Sequence, residues 1–137
     1  MPLAIDRTRK IAANLVCMGM LLFLVGLLLG FVLVPMAGAK AILSAHQAAL
    51  GSGAFLMALG LAWGAYMRSA RSWLATGLWV SHYLLVAGLA LGAPAFAQKP
   101  LGDLVVLVAC LVMVIATLVA LVALYGDIRS GPVVEEA

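Results

Sequence analysis

Hydrophobic and polar positions along this chain separate into long blocks. No Asp, Glu, Lys or Arg interrupts Ile11 to Val34, Ala41 to Met67, Trp73 to Phe96 or Leu104 to Tyr125. Each block exceeds the roughly 20 residues that, at about 1.5 Å of rise each, carry a helix across about 30 Å of hydrocarbon. The pattern predicts four transmembrane helices over 11–34, 41–67, 73–96 and 104–125. The connections are too short to fold separately. Residues 1–137 therefore read as one membrane domain, an all-α, up-down-up-down four-helix bundle. Ala97 to Asp103, with Pro100 and Gly102, reads as a turn, and residues 130–137 as a disordered acidic tail.

A cleavable signal peptide competes for the first block, because Arg7, Arg9 and Lys10 precede it and Ala37-Gly38-Ala39 follows it. Its apolar run is well beyond the roughly 7–15 residues of an ordinary signal sequence, so a retained helix is expected. Basic residues then set the orientation. Arg7, Arg9, Lys10, Arg68, Arg71 and Arg129 fall on one side, Lys40 and Lys99 on the other. The asymmetry predicts that both termini are cytoplasmic.

Composition agrees with a membrane solvent: 66% of residues are hydrophobic and 9% charged, against about 25% charged in soluble domains. The mean hydropathy is +1.22. The formal charge of +3 sits on loops and tails, where it speaks to orientation in lipid and not to nucleic acid. Cys17 and Cys110 stand alone in apolar runs, as small hydrophobes without metal or redox spacing. Gly26 and Gly30, Gly60 and Gly64, and Gly88 and Gly92 form small-xxx-small pairs, which favour close helix approach in lipid.

Candidate chemistry is sparse. With no charge inside any span, proton-coupled exchange lacks its intramembrane carboxylate. The two histidines remain. His46 lies about 8 Å below one end of the second span, on a stripe continuing through Gly53, Met57 and Gly60. Glycine there would leave a flat surface against which a planar ligand could lie while the imidazole reaches its metal. The plainer alternative is an interfacial histidine bonded to a carbonyl or to water. His82 lies mid-span between Trp79 and Tyr83, as a functional group or as interhelical glue. A single haem clamped by both histidines needs them at one level, and counting along the spans leaves a mismatch of about 7 Å. Trp63, Tyr66 and Trp73 read as an interfacial belt; Trp79 and Tyr83 are deep enough to stack on an aromatic substrate.

The segment from Leu43 to Trp63, with Ala45-His46, Ser52-Gly53, Phe55, Met57 and Gly60, resembles the second helix of (hydroxyamino)benzene mutases. It is also similar, more distantly, to styrene oxide isomerases, which carry Ala-His followed six residues later by a polar residue and glycine. The resemblance implies an intramolecular isomerase in a bacterial-type cytoplasmic membrane, converting an aromatic hydroxylamine to an aminophenol. It further implies haem b iron as Lewis acid, His46 as its axial ligand with Gly53 and Met57 beside it, and a homotrimer. Ser52 falls where the epoxide isomerases have an asparagine near the substrate, and Ser81 falls where another asparagine is expected. Gly77 and Leu85 replace the acid and tyrosine of those enzymes, which puts epoxide chemistry by the same residues in doubt; His82 and Tyr83 stand as substitutes. Ser52, Ser81, His82 and Tyr83 are thus the catalytic candidates. Two other classes stay open, a haem- or quinone-binding electron-transfer subunit and a small structural or transport-related subunit without cofactor.

Overall fold

The computed structural model describes residues 2–33, 40–67, 71–91 and 99–129. It contains α1 (Pro2–Leu33), α2 (Lys40–Tyr66), α3 (Ser72–Leu91) and α4 (Lys99–Arg129), and no strand among the described residues. Each helix is long and apolar enough to cross a membrane, with candidate spans at Arg7–Phe31, Ile42–Tyr66, Ser72–Leu91 and Pro100–Arg129. The end of the third expected span, the cleavage-like Ala37-Gly38-Ala39 and the tail 130–137 lie outside the described residues.

Two elements begin well before their hydrophobic blocks, α1 at Pro2 and α4 at Lys99. Residues 99–103, expected in a turn, form the first turn of α4. Pro100 is its second residue, a position where the missing N–H is no loss because first-turn N–H groups have no intrahelical acceptor. Proline therefore marks a helix start here.

The helices pair in chain order. α1 packs chiefly on α2 and α3 chiefly on α4, while the α2–α3 contact joins the two hairpins. Over the most apolar 18 residues of each span, 39% are buried in α3 against 17% in α4, so α4 is the more peripheral of the two. Leu15, Leu22, Leu56, Leu74 and Leu78 are fully buried in the shared core. Leu107, Leu111, Leu118, Leu121 and Val122 of α4 point outward, as expected where lipid is as apolar as the protein interior.

Glycine decides how closely α1 and α2 approach. A Cβ on Gly53 would stand 2.7 Å from the Phe23 N and 2.8 Å from the Gly19 O; one on Gly60 would stand 2.9 Å from the Ala12 O. These neighbours are backbone atoms, which cannot turn aside. The two helices run antiparallel in one register, with Ala12 facing Gly64 and Gly60, Gly19 facing Met57 and Gly53, Gly26 facing Leu50, and Gly30 facing His46. Gly88 of α3 meets Val105 and Val106 of α4 in the same way. The pairs at 26/30 and 60/64 thus belong to one seam.

Trp63 departs from the interfacial belt. It is 1% exposed and packs in the core, whereas Tyr66 and Trp73 are well exposed. The Trp63 indole lines a cavity together with Ala120 of α4, and Ala116 and Ala123 belong to the same core cluster.

Candidate functional site

His46 lies on the first turns of α2, half-buried against α1. Its Nδ1 is 2.7 Å from the backbone oxygen of Gly26. A carbonyl only accepts, so Nδ1 carries the proton and donates. Nε2 is then the bare lone pair of the ring. The neighbouring turn of α1 makes room for this geometry: a Cβ on Gly30 would come within 2.9 Å of His46 Cε1 and 3.2 Å of Nδ1. Among the described residues Nε2 has no hydrogen-bond partner, and a histidine tied to a carbonyl through one nitrogen with the other left to a ligand is the arrangement found in metal-ligating imidazoles. The carbonyl bond and the ligand role, set against each other as alternatives for this residue, are compatible here.

The glycine stripe beyond His46 is not open. Gly53 is buried against Phe23 and Gly19, and Met57 meets Gly19 through its backbone N and side chain. The surface expected to receive a flat ligand is covered by α1 within the chain, because the missing Cβ at Gly53 serves helix approach. Ser52, six residues after His46, is buried, about 9 Å along the axis.

The α3 candidates form a second cluster. His82 is 4% exposed; its Nδ1 donates to the Leu78 O at 2.7 Å, and its ring stacks on Phe55 with centroids 5.3 Å apart and an angle of 18°. Ser81 Oγ donates to the same Leu78 oxygen at 2.8 Å. Both side chains turn back on their own helix, the local bonding that lets short polar groups sit in an apolar span. Tyr83 crosses to α1, where its hydroxyl donates to the Met18 O at 3.0 Å, and its ring meets Trp79 edge-on at 5.9 Å.

The two clusters are far apart. Phe55, which stacks on His82, follows His46 by nine residues of α2, or about 13 Å of rise. Met18, which receives Tyr83, precedes Gly30 by twelve residues of α1, or about 18 Å. This exceeds the separation counted from the sequence. Two imidazoles this distant do not share one metal within a chain, and no group of three or more His, Cys, Asp or Glu able to hold a metal occurs among the described residues. The sequence thus named His46 and His82; what it lacked was the pairing of Gly26 and Gly30 with the first and of Phe55 with the second, which depends on interhelical register.

A cavity of about 130 Å³ lies beyond Phe55, between α2, α3 and α4, and includes Trp63, Leu78, Thr117 and Ala120 in its lining. Its α2 residues begin at Phe55, so it sits with the His82 cluster and away from His46.

Comparison with known proteins gives one partial match. Hydroxylaminobenzene mutase HabB of Ectopseudomonas oleovorans is 47% identical over 53 residues, covering 39% of this chain and 32% of the relative. The mutase resemblance is supported. It holds for a part of the chain, which spans about a third of the length of that relative. No protein-family model matches, and no solved structure matches significantly.

Proposed function

We propose that this chain is a membrane-embedded isomerase that rearranges an aromatic hydroxylamine to an aminophenol. The observation that carries the reading is the 47% identity to a hydroxylaminobenzene mutase over 53 residues. The presented Nε2 of His46 agrees with it. The reaction keeps the molecular formula: the N–O bond breaks, a ring C–O bond forms, and the proton leaving that carbon returns to nitrogen. No net oxidant or reductant is needed.

His46 is the residue that would hold haem b, and Gly26 fixes the tautomer in which it does so. When bound, the iron supplies Lewis acidity that polarises a substrate heteroatom. The chain's own share is positioning and exclusion. Four apolar helices keep bulk water from a cationic species that water would trap, and an apolar aromatic substrate reaches them from lipid. Ser52 is the buried polar side chain proposed to face the substrate. Ser81, His82 and Tyr83 commit a proton each to backbone carbonyls, and in this reading they brace α3. The chain sits in a bacterial cytoplasmic membrane with both termini inside and assembles as a homotrimer.

The electron-transfer alternative, in its bis-histidine form, needs two imidazoles at one level, which the separation of His46 from the Phe55–His82 stack disfavours within one chain. The test is anaerobic incubation of the detergent-purified chain with phenylhydroxylamine and no electron donor, followed by chromatography. Aminophenol formed in proportion to enzyme is the expected result. Its absence from a preparation loaded with haem sinks the isomerase reading.

A further inference from the structure

The α1 helix meets His46 through its backbone at Gly26 and Gly30, and that contact governs how the ring stands. We propose that Gly26 and Gly30 are positioning residues: one turn of α1 backbone forms a seat that holds His46 as the Nδ1–H tautomer and presents Nε2 as the only lone-pair donor of the ring. The functional meaning of the seat rests on the proposed role of His46. Its existence does not.

Three observations support the seat. The Gly26 oxygen lies 2.7 Å from Nδ1, a distance at the short end for N–H···O. Within the helix that same carbonyl also faces the N–H of Gly30, four residues on. A carbonyl has two lone pairs and accepts both, so the bond to His46 costs α1 nothing. Finally, Gly30 is where the imidazole rests: an added Cβ would stand 2.9 Å from Cε1, 3.2 Å from Nδ1 and 3.7 Å from Nε2. A methyl group there has to push the ring away from the carbonyl. The pair of glycines thus combines an acceptor with the absence of a side chain, and neither half suffices.

Losing such an outer partner lowers metal affinity by about 10–100-fold in other proteins. The same range is expected for haem here, as a consequence of ring misorientation. Gly64 provides the internal control. It lies in the same seam, but a Cβ there meets only the Ala12 Cβ at 3.3 Å, a contact relieved by a few tenths of an ångström and remote from His46, so Gly64→Ala should leave the ring undisturbed.

The experiment uses the full chain in detergent with ¹⁵N-labelled histidine, without haem, and reads imidazole tautomers from long-range ¹H–¹⁵N correlations. His46→Gln assigns the His46 signals. The parent should show His46 as a single Nδ1–H tautomer. Gly30→Ala should show averaged or Nε2–H signals and a 10–100-fold weaker haem titration, with Gly64→Ala matching the parent in both. A parent in which His46 is Nε2–H, or exchanges between tautomers, overturns the seat without reference to any variant. A folded Gly30→Ala chain that keeps the parent tautomer and affinity overturns it equally. A fixed tautomer in a chain that takes up no haem leaves the seat standing and removes the haem reading instead.

Discussion

Two histidines in one small bundle are held in the same tautomer by different means. His46 gives its Nδ1 proton to Gly26, on another helix and twenty residues away. His82 gives its own to Leu78, one turn back on the same helix, and lies flat against Phe55. The first bond exists only when α1 and α2 are in register; the second forms wherever α3 is helical. One ring is half-buried at the edge of the seam and the other is 4% exposed in the core. A bond made through tertiary packing, at an accessible ring, is what a functional donor needs. A bond satisfied locally at a buried ring is what a polar residue needs merely to live in an apolar span.

The comparison breaks most readily at His46. His46→Ala should remove the Soret band of haem-loaded protein and lower isomerisation by more than the roughly 10–100-fold that loss of an outer partner costs; a variant retaining both would deny this ring its special status. Next in size is Gly53→Val, which drives a branched side chain into the backbone of Phe23 and Gly19. A loss of about 3 kcal/mol is expected, read as a lowered thermal midpoint in detergent, and an unchanged midpoint would contradict the tight seam. His82→Phe keeps the aromatic face on Phe55 and deletes the bond to Leu78. About 1 kcal/mol of stability should go, with the haem spectrum as in the parent; disappearance of the band would move the donor role to α3. Smallest is Ser81→Ala, expected near the low end of the roughly 0.5–1.5 kcal/mol of one hydrogen bond, because the Leu78 oxygen keeps the Nδ1 proton of His82.

The four spans were legible in the sequence because lipid demands uninterrupted apolar helices, and charge-free blocks record that demand directly. The glycine pairs 26/30 and 60/64 were legible as close contacts, since only missing side chains allow such approach; Gly92 of the third pair lies outside the described residues. Partners were not. Gly26 meets His46 through the register of two antiparallel helices, and nothing in either segment alone encodes that offset. Gly53, expected to leave room for a planar ligand, was misread for the same reason: a missing Cβ admits a helix with equal ease, and α1 took the space. Pro100 and Gly102 resembled a turn because proline breaks helix interiors, while at the start of α4 it is welcome. Trp63 resembled an interfacial anchor by its place near the end of α2, whereas its indole packs in the core cluster that includes alanines of α4.

The seam between α1 and α2 also has a consequence in time. Every atom of the His46 seat belongs to the first two helices in chain order, up to His46 itself and the turn of α1 that carries Gly26 and Gly30. Domains are made from the N-terminus at about 5–20 residues per second. The first hairpin can therefore close, and the orientation of its histidine be settled, while the residues of α3 and α4 are still being synthesised.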